Sequence, residues 1–227
     1  MVRARHDPEV KREQFIATAL ELFARKGVGN TSLRDVIKAM NGGAGTSPSV
    51  FYYYFASKGD LFEACFSTYM DGYIQDLADI LDDRSCGVRE MAAAARVRLG
   101  ESIDMIGRMV AGDTDERDGS LSHSLSLTLQ NQMFEQSLFE RLMARAAPHI
   151  ASALDFYLAS GELPETVLTN VVGTAGIAMA ICGGIHAMLH TQTTQDAGAK
   201  EALAFVSQLL GTDLTCDANA GGEVGRS

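Results

Sequence analysis

The stretch that decides the fold is SPSVFYYYFASKGDLF, residues 47–62. Five aromatics stand in a row, Phe51, Tyr52, Tyr53, Tyr54 and Phe55, in a chain without tryptophan. Pro48 suits the first turn of a short helix that starts near Ser47, and Ser57 suits the cap of the next one. On a helix Phe51 and Phe55 are one turn apart, so both can turn inward, against Phe15, Leu33 and Ile37. Tyr52 shares a face with Ser49. Tyr53 and Tyr54 are left at the rim, where a tyrosine packs its ring and offers its hydroxyl. Three tyrosines beside Lys58 are too many hydroxyls to bury together, so part of this row faces outward.

Working outward, helical periodicity dominates. Phe15, Ile16, Ala19, Leu20, Leu22 and Phe23 form one apolar stripe over residues 8–26, opened by Pro8 and stopped by Gly27. Thr31 and Ser32 are candidate N-caps for a second short helix with Leu33, Val36, Ile37 and Met40 inward. NGGAGTS, residues 41–47, is a glycine-rich break. The helix from Ser57 extends to about Leu81. Short helices separated by a glycine turn make a helix-turn-helix pattern.

Beyond it the spacing predicts longer helices over 87–110, 132–160 with a break near Pro148, 164–190 and 196–211. Residues 121–129, LSHSLSLTL, alternate as a strand would. Leu121, Leu125 and Leu129 also form a helical row, and helix is the assignment. The expected class is all-α: a helix-turn-helix domain over 1–60, a helical effector-binding and dimerisation domain over 61–211, and a disordered tail over 212–227.

Charge is unevenly spread. The chain carries a net −10, yet residues 1–60 hold 9 Lys and Arg against 6 Asp and Glu. A basic module on an acidic body suits nucleic acid at one end and repels it elsewhere. Four cysteines without a C-x-x-C pair argue against a disulfide framework or thiolate cluster, and suit a reducing cytoplasm. The N-terminal MVRARHDPEVKREQF lacks the apolar core of a signal peptide. The most apolar run, VVGTAGIAMAICGGIHAMLH, carries glycines and histidines that fit a packing helix better than a membrane span.

A helix-turn-helix lays its second helix in the major groove. Ser47, Pro48, Ser49 and Val50 then face base edges, with Tyr52 on the same side. Tyr53, Tyr54 and Lys58 suit phosphates, and Thr31 and Ser32 suit the flanking phosphate.

The segments FIATALELFARKG, TSLRDVI, SPSVFYYYF and SKGDL resemble the N-terminal domain of the TetR (tetracycline-repressor-like) transcriptional regulators, over roughly residues 8–70. That resemblance implies Pro48, Ser49, Val50 and Tyr52 near bases, and Tyr53, Tyr54 and Lys58 near phosphates. It also implies dimerisation through the last two long helices and a small-molecule pocket among the middle ones. One departure stands out: Ile37 and Gly45 are eight apart, a longer turn than the family's usual one, so NGG reads as an insertion able to tilt the second helix.

In the body no catalytic signature occurs, neither a phosphate-binding glycine loop nor G-x-S-x-G, so the expectation is a regulator with no cofactor rather than an enzyme. Gly176, Ala180 and Gly184 make a small-residue stripe, read as a dimer seam or a tight crossing within the chain. Met105, Met109, His123, Met133, Phe134, Phe139 and Tyr157 are candidates to line the effector pocket, with ordinary core as the competing reading. Cys182, His186 and His190 share one helical face and open a metal-responsive alternative, although the row spans about 12 Å, too far for all three to hold one ion. A helical enzyme or carrier with an incidental DNA-binding-like domain is the other alternative.

Overall fold

A computed structural model describes residues 8–110, 121–191 and 195–215. Among these the secondary structure is eight helices: α1 (Pro8–Lys26), α2 (Leu33–Ala39), α3 (Pro48–Tyr54), α4 (Lys58–Asp82), α5 (Val88–Val110), α6 (Leu121–Ser160), α7 (Val167–Thr191) and α8 (Gln195–Leu210). The alternating segment from Leu121 is helical. The chain divides into two units, one of Met1–Asp71 with Asp104–Asn131, the other of Gly72–Ile103 with Gln132–Ser227.

In the first unit the stripe of α1 forms the core. Phe15, Ile16, Ala19, Leu22 and Phe23 are all buried. Gly27, with φ 79°, ends the helix in the left-handed region that glycine enters without steric cost. Phe15 is the hub. Its ring lies 5.7 Å from Phe51 and 6.1 Å from Phe55, both edge-on, and 6.0 Å from Tyr54. Farther along, Phe23 meets Phe62 edge-on at 5.7 Å. Edge-to-face rings add attraction beyond the apolar area they bury. Cys65 is buried beneath α1, and burial pushes its thiol up to about 12.

In the second unit Tyr157, Leu154, Ile177, Leu163 and Leu210 build the core. Arg98 of α5 bonds Asp76 of α4 at 2.8 Å and lies over the Tyr73 ring at 5.2 Å, linking those two helices within the unit. Glu162 accepts a 2.8 Å bond from the Val88 N–H, satisfying a free donor at the start of α5.

Three local expectations are corrected. α6 runs through Pro148 without a break. Pro148 is exposed while Ala146, Ala147, Ala153 and Leu154 around it are buried, so packing on the opposite face holds the helix across the missing N–H. α7 is not one regular helix, because Gly173 has φ 75° and ψ 164° and divides it. Order also continues past 211. Leu214 is buried, and its N–H donates to Ser207 Oγ at 3.1 Å. The remainder of the expected tail lies outside the described residues.

Val167–Ala187 is, among the described residues, the one helix long and apolar enough to cross a membrane, by length and composition only. One of its faces is packed in protein through Ile177, Ala178, Ile181 and Cys182.

Candidate nucleic-acid interface

The interface is built from the caps of two short helices. Ser32 caps α2. Its hydroxyl accepts from the Asp35 N–H at 3.1 Å, while the Asp35 carboxylate accepts from the Ser32 N–H at 3.0 Å. This reciprocal pair satisfies two donors at once. The bonds from Ser32, backbone first and then hydroxyl, hold the Asp35 carboxyl below its ordinary value. Thr31, the neighbouring candidate, has the opposite fate. It is fully buried and its hydroxyl donates to the Gly27 carbonyl at 2.8 Å. Its side chain is therefore unavailable to a phosphate, which corrects the pairing of Thr31 with Ser32. The Gly27 carbonyl, just past the end of α1, supplies the acceptor.

α3 begins at Pro48 after Ser47, whose backbone is extended and whose side chain makes no capping bond. Instead the Ser47 and Ser49 hydroxyls lie 2.8 Å apart. Ser47, Pro48 and Ser49 are exposed, Val50 is half-buried and Phe51 is buried. Tyr52 is 58% exposed and Tyr53 74%, and each ring meets one neighbour edge-on, Phe51 at 5.3 Å and Tyr54 at 4.8 Å. Tyr54 is half-buried against Phe15. The aromatic row thus divides: Phe51 and Phe55 hold the helix down, and Tyr52 and Tyr53 face outward from it.

Lys58 is half-buried. Its ammonium donates to the carbonyls of Val28, at 3.0 Å, and Thr31, at 3.3 Å, which fastens the α1–α2 connection to the start of α4. Two more cations frame the site. Arg12 lies 5.4 Å from the Phe55 ring centre, and Lys11 donates to Asn41 Oδ1 at 2.6 Å. No motif spacing singles out Lys11, Arg12 or Asn41. The basic surplus of residues 1–60 is their only trace in the sequence.

The body candidates are dispersed. Met109 is fully buried in the first unit, where its carbonyl accepts from the Val28 N–H at 2.8 Å. Met105 in the same unit is half-buried. Tyr157 is fully buried in the second unit and donates to the Cys86 carbonyl at 3.0 Å. Burial first, then Cys86, push its phenol up to about 12. The side chains of His123, Met133, Phe134, Phe139 and His190 lie outside the described ones.

Within the small-residue stripe, a Cβ on Gly184 would stand 2.4 Å from the Phe205 ring, so Gly184 serves a crossing with α8 of the same chain. Ala180 is exposed. Cys182 packs with Ala147 and Ala178, and burial pushes its thiol up to about 11. Among the described residues no group of three His, Cys, Asp or Glu comes together.

Two short helices, α2 and α3, joined by a glycine turn, with an exposed small-residue start to α3, are the arrangement of a helix-turn-helix. Residues 15–65 match the family model described as bacterial regulatory proteins, tetR family. The fold as a whole is similar to solved structures of low identity. A transcriptional regulator from Cytophaga hutchinsonii ATCC 33406 gives a TM-score of 0.59 at 13% identity, over 90% of this chain and 96% of that one. RolR (NCGL1110), solved with its ligand resorcinol, gives 0.54 at 16%, over 91% and 90%. A TetR-family regulator from Pectobacterium atrosepticum gives 0.51 at 18%, over 92% and 96%. The chain is a DNA-binding transcriptional regulator of all-α architecture. Its residues 15–65 match the DNA-binding domain of the tetR family of bacterial regulatory proteins.

Proposed function

We propose that this regulator is a homodimeric repressor that holds a palindromic operator and leaves it when a small-molecule effector binds its helical body. The observation that carries the reading is the exposed start of α3, where Ser47, Pro48 and Ser49 precede the outward Tyr52 and Tyr53. Small side chains admit the helix deep into a major groove, and the tyrosine hydroxyls reach base edges or phosphates. Ser49, Val50 and Tyr52 read bases; Ser32, Tyr53, Tyr54 and Lys58 hold phosphates.

Residues 1–60 do the reading, and 61–211 sense and dimerise. For the second copy, α7 offers an exposed apolar row of Val167, Val171 and Val172 before Gly173, with Met179 and Ala180 exposed beyond it. Two-fold pairing along that row matches an inverted-repeat operator. An effector site within 61–211 is part of the same reading. RolR, similar in fold, is solved with resorcinol, and a small aromatic is the first effector class to try here. The protein works by binding rather than turnover, in the cytoplasm.

Selection from a random duplex library at physiological salt, followed by sequencing, tests the reading. An enriched inverted repeat is the expected outcome. A folded protein that enriches nothing, with and without candidate effectors, would sink it.

Lys58→Ala is expected to weaken binding to every duplex alike and to lower the salt slope of log K by about one, the mark of a lost phosphate contact. Its two carbonyl bonds predict a lower melting temperature as well. A salt titration separates the roles. If only the melting temperature moves, Lys58 acts as a brace and touches no phosphate.

A further inference from the structure

The enlarged turn between α2 and α3 is folded back on itself. Gly45 N–H donates to the Met40 carbonyl at 2.8 Å, and Thr46 N–H to the Ile37 carbonyl at 3.1 Å. Thr46 is thereby returned to the last turn of α2, and residues 41–44 form an exposed excursion. The extra residues are looped out rather than spread along the path to α3.

Such a loop is a poor mount for a reading helix. Gly42, Gly43 and Gly45 all have positive φ, and an added Cβ at Gly42 or Gly43 would meet nothing within 4 Å. Glycine backbones without side-chain contacts retain the most freedom. The far end of α3 is held by Phe51 and the following Phe55 on Phe15. The near end, with Ser47, Pro48 and Ser49, has no side-chain cap to hold it. Its position depends on the turn.

Asn41 is the non-glycine residue of the turn in the left-handed region, with φ 57°, a conformation asparagine tolerates better than most residues. Its side chain works in two directions. Nδ2 donates to the Gly45 carbonyl at 2.6 Å, and Oδ1 accepts from Lys11 Nζ at 2.6 Å. Lys11 also donates to Gln14 Oε1 at 3.1 Å, so its ammonium is steadied on α1. α1 carries Phe15 one turn later, and is therefore the shared reference for both ends of α3.

We infer that Asn41 is a positioning residue for the recognition helix: with Lys11 it ties the looped-out turn to α1 and sets the angle at which Ser47, Pro48 and Ser49 enter DNA. The inference rests on the DNA-reading function proposed above. Because these bonds are exposed, each contributes little to global stability. Their loss falls on the angle, and so on selectivity.

The test uses the full chain, the inverted repeat selected by the wild type and a scrambled duplex of equal length, at matched salt. Asn41→Gly keeps the left-handed backbone and removes both bonds. It is expected to lower the operator-to-scrambled affinity ratio by about tenfold. The salt slope and far-ultraviolet circular dichroism should stay as in the wild type. Lys11→Met should lower the ratio similarly, the double variant no further than the larger single loss, and Lys11→Arg should restore it. Asn41→Asp keeps the Lys11 bond and loses the one to Gly45, so an intermediate ratio is expected.

An unchanged ratio in Asn41→Gly would overturn the inference, as would full additivity of the two losses. A salt slope lowered by Lys11→Met alone, with Asn41→Gly silent, would make Lys11 a phosphate contact instead and overturn it too. If the wild type itself selects no sequence, the DNA-reading function fails first and the inference falls with it. Failure confined to the variants condemns the inference only.

Discussion

Phe15→Ala is expected to destabilise the first unit by about 3–5 kcal/mol, the usual loss when a buried phenylalanine is truncated to alanine. Phe15 is fully buried and touches Phe51, Tyr54 and Phe55 at once. The cavity would undercut α3, a helix of 7 residues that is too short to hold its shape alone. DNA binding should therefore disappear before the helical content of the long helices does. Thermal denaturation followed by circular dichroism, beside binding to the selected duplex at the same temperature, checks this. A variant that melts like the wild type and still binds would show that the ring cluster does not support α3.

The second large effect concerns α7. Val167 is 80% exposed and Val171 77%, values unusual for valines on a helix whose other face is core. They sit one turn apart, with Val172 beside them and Met179 exposed beyond the break at Gly173. Burying a valine side chain contributes about 1.5–3 kcal/mol, and several together are needed to offset the cost of association. Val171→Asp places a charge in the middle of that row. The expected result is a monomer in sedimentation velocity and a loss of operator affinity of about 10²–10⁴-fold, because the second half-site is no longer delivered by a linked subunit. Binding to a single half-site should be little changed. If Val171→Asp stays dimeric, the seam lies elsewhere and the valine row serves another contact.

Much of the reading unit was legible because its signals are local. Pro8 and Gly27 bound α1, and Ser32, Ser47 and Ser57 stand at helix starts. In the last case Ser57 Oγ accepts from the Asp60 N–H at 3.0 Å. The aromatic row declared its inner members by spacing alone, since residues four apart on a helix share a face. Thr31 and Ser32 show the limit. Both carry a hydroxyl and either can cap; the position of the Gly27 carbonyl in space, and the packing that leaves no surface at Thr31, made the choice.

The turn of the helix-turn-helix shows the limit in another way. Counting residues implies an insertion able to tilt α3, because sequence length alone does not say where the extra chain goes. Bonds to the carbonyls of Ile37 and Met40 close it as a loop, and Lys11, thirty positions from Asn41, braces it. No local pattern encodes a contact of that separation.

By itself the sequence determined the helical class, the helix boundaries near their caps, and the division of the aromatic row into anchoring and outward rings, all of which follow from periodicity and short-range hydrogen bonding. Only the tertiary structure decided that Gly173 divides α7, that α6 continues through Pro148, and that Gly184 meets Phe205 while Ala180 and the valines face outward. Those outcomes depend on which distant surfaces compete to cover each face of a helix. That competition is a property of the packed chain, not of any segment within it.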